Sequence, residues 1–152
     1  IFEICQMADK LLEDKISKVY NKPKTDKGLA FPCCLSVNEI CGHFSPMDDS
    51  DKTVLEGGDL VKIDLGGHID GYMAVVAHSL LLPGGEDDPD RSKKIDAITA
   101  AYTAQEASIR LMKNELSNKD VTDLIAKVGK EFDVFPLQGV LSHEMKKGVI
   151  AG

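Results

Sequence analysis

Four histidines and four cysteines are the side chains of this sequence best suited to proton, metal or nucleophile chemistry, and their spacing limits what they do. His43 follows Asn38-Glu39-Ile40-Cys41-Gly42 and precedes Phe44-Ser45-Pro46, at the end of an extended piece where side chains commonly point into a cleft. The plainer role for it is a partly buried histidine bonded to a carbonyl. Asp64 stands in the middle of the run Val61-Lys62-Ile63-Asp64-Leu65, where a carboxylate disfavours sheet and must be satisfied if its face is buried. It is either a site residue or one half of an ion pair with a Lys or Arg. His143 lies in a glycine-flanked loop, as a ligand or as an exposed loop histidine, and His68 and Asp70 are most simply turn residues. Cys5, Cys33, Cys34 and Cys41 form no CxxC pair, and the neighbours Cys33 and Cys34 point to opposite faces of an extended chain. Free thiols in a reducing compartment follow. Nucleophile elbows of the GxSxG type, phosphate loops and HExxH are all missing from the sequence.

The element that must position Asp64 is a β-hairpin over residues 59–82. Its first arm sets Leu60, Lys62 and Asp64 on one face against Val61, Ile63 and Leu65 on the other, and its return arm is apolar and β-branched through Val75 and Val76. Gly66, Gly67, Asp70 and Gly71 supply the turn residues. A two-residue Asp70-Gly71 turn pairs 64 with 77, whereas a four-residue loop over 68–71 pairs 64 with 75. In both registers Val75 and Ala77 share the face of Asp64, because the side-chain period is two, and that face offers no second carboxylate. His78 faces away by the same parity.

Around the hairpin the sequence predicts α+β organisation. Ile1, Cys5, Ala8, Leu12, Ile16 and Val19 recur at spacings of three and four, which makes 1–20 an amphipathic helix. Residues 21–28 form a loop by their Pro, Gly and charge content; 31–37 is a strand and 39–44 a second extended piece, with Asn38 at the bend. A polar loop at 45–52 leads to a turn at Gly57-Gly58. Beyond the hairpin, 83–89 is a loop with Asp90 as N-cap of a helix running to about Lys113. Ser117 to Asp120 then read as a capping box before a second helix with the stripe Val121, Leu124, Ile125, Val128 and Phe132. A short strand is expected at 134–137 and a loop at 138–143.

At 152 residues the chain holds one domain and buries roughly 70% of its unfolded surface. With 43% hydrophobic and 28% charged residues it has a globular composition, and no apolar run reaches membrane-spanning length. A net charge of -7 argues against an autonomous phosphate-binding surface. The chain opens at Ile1 inside a helical pattern and closes at Ala151-Gly152, so truncation at both ends is expected.

The string GLAFPCCLSVNEICGHFSP followed by GDLVKIDLGGHIDGYMAVVAH resembles the methionine aminopeptidase superfamily, whose fold is the pita-bread or creatinase fold. The matching features are Phe31-Pro32, Ser36 to Glu39 leading to His43, and Val61 to Gly66. Within that superfamily FSP after His43, the KIDLG arm, DGY at the tip, VAH in the return arm and LSHEMKKGVIAG at the end are most similar to the proliferation-associated, ErbB-receptor-binding branch. The resemblance implies a fold of two similar halves sharing a curved antiparallel sheet, with residues 1–152 a partial domain: the first half and only the opening strand of the second. A sheet edge left bare by that arrangement would invite self-association.

What the resemblance implies for the site is residue-specific. In the peptidases a His at the place of His43 contacts substrate, an Asp at the place of Asp64 is the first metal ligand, and a His near His143 is the third. The second ligand is an Asp eleven residues beyond the first, where this sequence has Val75, and two glutamate ligands lie past Gly152. His43, Asp64, Val75 and His143 are then a vestigial peptidase site with no catalytic residue, no metal and no cofactor. The branch implies a non-catalytic factor in growth, proliferation and translation, cytoplasmic and nuclear. Its RNA, ribosome or protein partners would be met mostly through segments outside this one, without membrane association. The alternative is a divergent metal-dependent methionine aminopeptidase with an altered two-metal site.

Overall fold

The computed structural model describes every residue except 114, 115, 141, 142, 144 and 150–152. In chain order its elements are α1 (Phe2–Ser17), β1 (Lys27–Val37), β2 (Leu60–Ile69), β3 (Tyr72–Leu81), α2 (Arg91–Leu111) and α3 (Asn118–Glu131). They fall into two compact units, residues 1–84 with 142–152 and residues 85–141.

The first unit is a three-stranded antiparallel sheet in the order β1-β2-β3, with α1 lying on one face of it. The hairpin takes the shorter of the two anticipated connections: Ile69 pairs with Tyr72 and Asp64 with Ala77, in unbroken register from Leu60 to Leu81. Asp70 and Gly71 both have positive φ, 51° and 78°, the conformation whose twist matches the flanking strands. Asp70 tolerates it because a short polar side chain bonds locally: its Oδ1 accepts from Asp26 N at 2.9 Å, while its own N–H donates to Asp26 O.

β1 is longer than the sequence predicts. Lys27 and Gly28, which look like loop, pair with Ile69 and His68, because the length of the hairpin gives them a partner. Two register shifts, between Leu29 and Phe31 and between Phe31 and Cys34, admit Pro32 into the strand. The Cys33 N–H, displaced from the ladder there, donates instead to Asp9 Oδ1 of α1 at 2.7 Å. α1 buries Cys5 against Cys33, Leu35 and Val61, with Ile4, Ala8, Ile63 and Leu65 packed around them. Val61, fully enclosed, contributes about 1.5–3 kcal/mol by leaving water. The expected helix is present, but it ends at Ser17, leaving Val19 exposed.

The extended piece expected at 39–44 is not a strand. Asn38 and His43 adopt positive φ, 49° and 61°, and the segment meets β1 through isolated bonds without a ladder: Leu35 N donates to Phe44 O at 2.7 Å and Ile40 N to Val37 O at 3.0 Å. Asn38 fastens the end of β1 to the start of β2: its Nδ2 donates to Asp59 Oδ1 at 2.8 Å and its Oδ1 accepts from Leu60 N at 3.0 Å.

The second unit pairs α2 with α3. Asp90 occupies the N-cap position of α2 without capping it; its carboxylate meets Lys93 at 2.7 Å instead. The capping box of α3 forms as the sequence predicts, Ser117 accepting from Asp120 N and Asp120 accepting from Ser117 N. The short strand expected at 134–137 is absent from the described residues. Val134 N instead donates to Gly129 O at 2.9 Å, and Val134 O and Pro136 pack against Gly129, so the chain folds back on the end of α3. Of the loop expected at 138–143, residues 141 and 142 lie outside the described ones.

Candidate functional site

Asp64 lies at the centre of the sheet, on the face away from α1. Antiparallel pairing sets it opposite Cys34 on β1 and Ala77 on β3, and two residues along each strand Gly66 stands opposite Val75. Val75 therefore shares the face of Asp64. Contacts at Gly66 agree: a Cβ placed there would lie 2.9 Å from Val75 Cγ1 and 2.9 Å from Phe31 Cε1. Phe31, Gly66 and Val75 form an apolar floor beside the carboxylate. The half-buried Asp64 has no hydrogen-bond or ion-pair partner among the described residues, so the ion pair that would make it purely structural does not form. Lys62, two residues away, donates to Asn38 O at 2.7 Å, and burial holds its amine below the ordinary lysine range.

Cys34 is the group that feels Asp64. Burial, and then the negative charge of Asp64, push its thiol up from the ordinary value. Cys33 points the other way, into the core with Cys5, where burial and the neighbouring thiol push it up to about 12. At neutral pH both are protonated and poor nucleophiles. All four cysteines are free, and Cys41 alone is exposed.

His43 is exposed, one residue before Phe44, whose N–H donates to Ser36 Oγ at 3.3 Å. This anchors it near β1. His143 is also exposed. His78 pairs across from Ile63, on the face opposite to Asp64, as parity requires, and His68 Nδ1 accepts from Gly71 N at 3.4 Å, inside the turn. Of the four residues singled out from sequence, Asp64 and Val75 share one face of the sheet, and His43 and His143 are exposed. Phe31 and Gly66 as the floor, and Cys34 as the neighbour of Asp64, were not foreseen. Only the Gly66-Gly67 pair in mid-strand signalled a close approach.

Among the described residues, no group of three or more His, Cys, Asp or Glu side chains converges as a metal cage would. A separate cleft of about 490 Å³ lies between α1 and the hairpin tip, lined by Leu12, Ile16, Tyr20, Gly67, Tyr72 and Ala74, with His68 and Asp70 as its polar members. Asp70 is engaged there by Asp26. No described helix is long and apolar enough to cross a membrane.

A three-stranded hairpin sheet backed by a helix, with an aspartate on the open face of the middle strand, is one part of the pita-bread fold. The model of metallopeptidase family M24 matches residues 3–149, and the chain belongs to that family. It aligns along its whole length with ErbB-3 binding protein 1 of Arabidopsis thaliana (44% identical, 38% of that protein) and proliferation-associated protein A of Dictyostelium discoideum (42%, 40% of that protein). The solved structure of a thermophilic Arx1 superposes on all of it with a TM-score of 0.77 at 27% identity, using 47% of that chain. The chain thus spans about two fifths of the length of these curated relatives, which carry the names of the branch its motifs resemble.

Proposed function

We propose that this chain is part of a non-catalytic member of the M24 family, a binding factor in cell growth, proliferation and translation. The observation that supports this reading is Val75. In the aminopeptidases that the sequence resembles, its position belongs to a second aspartate that shares two metal ions with the first. Here an isopropyl group lies on the face of Asp64, over Gly66 and beside Phe31. Val75 does not fit the place of a carboxylate shared by two metal ions: an isopropyl group supplies no oxygen donor and no negative charge to offset two divalent cations. His43 and His143 are, on this reading, remnants of a substrate contact and a ligand.

A protein named for binding a receptor and another named for proliferation are consistent with a role exerted through partners. Protein, RNA or ribosomal partners in the cytoplasm and nucleus fit it, with nucleic acid contacted mainly by basic segments outside these residues, since the net charge here is -7. The test joins two assays on the same preparation. Cleavage of Met-Ala-Ser peptides in Co²⁺ or Mn²⁺ is expected to stay at the no-enzyme rate, and co-sedimentation with ribosomes is expected to be saturable and salt-sensitive. Turnover that Asp64→Ala abolishes would establish the altered-site aminopeptidase in its place.

A further inference from the structure

The face of the sheet covered by α1 encloses two thiols. Cys5 and Cys33, 3% and 1% exposed, lie in one cluster with Leu35 and Val61, and Ile4, Ala8, Ile63 and Leu65 close around them. Their side chains hydrogen-bond to each other. A second bond holds them in place. Asp9, one turn beyond Cys5 and so on the same face of the helix, accepts the Cys33 N–H at 2.7 Å. The register shift between Phe31 and Cys34 frees that N–H from the ladder, so β1 is fastened to α1 at Cys33 itself. Cys34 turns to the other face, opposite Asp64, and Cys41 is exposed in the segment after β1. The fold thus sets one thiol pair face to face, across two elements whose cysteines stand roughly 30 residues apart in sequence.

We propose that Cys5 and Cys33 are a redox pair, which closes to a disulfide that clamps α1 onto β1 and reopens on reduction. The oxidant is a low-molecular-weight disulfide. The Cys5 thiolate attacks one of its sulfur atoms, forming a mixed disulfide and releasing one small thiolate; the Cys33 thiolate then attacks Cys5 Sγ, forming the Cys5–Cys33 bond and releasing the second. The two protein protons pass to the two released thiolates, and two electrons pass from the protein to the oxidant. Side chains already in contact need only draw their sulfur atoms together to about 2.05 Å. The product suits its surroundings: a disulfide is uncharged, whereas a metal held by two thiolates would place negative charge in an apolar enclosure beside Asp9. Because both thiols are enclosed, the first attack waits on local release of α1 from the sheet, and the finished bond restrains that same release. The inference goes beyond the proposed binding role and stands apart from the open face that carries Asp64 and Val75.

Peptide mapping of the full-length protein tests it, after incubation with glutathione disulfide in sub-denaturing urea and beside a control kept in dithiothreitol. Trypsin is expected to release the peptide ending at Lys10 joined to residues 28–52, two hydrogens lighter than the separate peptides, with fragment ions placing the bond at Cys33. Hydrogen exchange in α1 should slow at least tenfold in the oxidised protein and recover on reduction. Cys5→Ala and Cys33→Ala should each abolish this response, while Cys41→Ser leaves it unchanged. Cys5 and Cys33 still free when Cys41 has been converted to its mixed disulfide would overturn the inference, and so would a bond from Cys5 to Cys34 or Cys41. A Cys5–Cys33 bond that leaves exchange in α1 as fast as before would overturn the clamp.

Discussion

Replacing Gly66 by alanine tests where Val75 points. The new methyl would stand 2.9 Å from Val75 Cγ1 and 2.9 Å from Phe31 Cε1, with Ala74 O at 3.3 Å. Carbon atoms in proper contact keep about 3.5–4.0 Å, so both side chains must give by at least half an ångström. Val75 is stiff at χ1, and Phe31 is fixed at a register shift, so neither yields freely. Overpacking of this kind costs about 1–3 kcal/mol, against which alanine recovers roughly 0.5–1 kcal/mol of the strand's glycine penalty. A net loss of about 1–2 kcal/mol is expected. Val75→Ala alone removes a side chain 41% exposed and should cost about 1 kcal/mol. Combined, the two should cost less than their sum by about 1 kcal/mol, because the second change vacates the space the first one needs. Urea unfolding of the four proteins, followed by circular dichroism, reads the cycle. Additivity within about 0.3 kcal/mol would mean that Val75 does not lie over Gly66, and would remove it from the face of Asp64.

Asp9→Ala strands the half-buried Cys33 N–H and should lower stability by about 1–3 kcal/mol in urea unfolding, whereas Asp9→Asn keeps an acceptor and should lose about half as much. Because burial raises the Cys33 thiol from 9.0 to about 12, the folded state binds its proton more tightly than the unfolded state. The stability this gives is complete below about pH 9 and falls between pH 9 and 12, and urea midpoints measured across that range should decline, less so in Cys33→Ala. Native alkylation at pH 8 followed by mass spectrometry should modify the exposed Cys41 well before Cys5, Cys33 or Cys34. Ser117→Ala removes the cap of α3 and should cost about 1 kcal/mol, seen as loss of amide protection in the first turn, with Ser117→Asp largely sparing it.

The hairpin and the three helices were legible because each declares a period: two in residues 60–65, three and four in α1 and α3, with Ser117 and Asp120 marking a start. β1 was legible only from Phe31, since Lys27 and Gly28 are loop-like and become strand because Ile69 and His68 lie opposite them. The extended piece expected at 39–44 and the short strand expected at 134–137 do not form a ladder. Residues 39–44 are turned aside by the positive φ of Asn38 and His43, and 134–137 fold back onto Gly129. The face shared by Asp64 and Val75 followed from parity alone. The Phe31 floor and the nearness of Cys34 did not, because both depend on register shifts in β1 that no period encodes. His43 stood out by its motif, and its exposed, left-handed backbone is a tertiary fact.

The central claim, that Val75 on the face of Asp64 leaves no two-metal centre, is tested most directly by elemental analysis of the full-length protein after dialysis against Co²⁺ or Mn²⁺. The account predicts less than stoichiometric metal, with the same content in Asp64→Ala as in the unaltered protein. Two ions per chain, lost in Asp64→Ala, would contradict it.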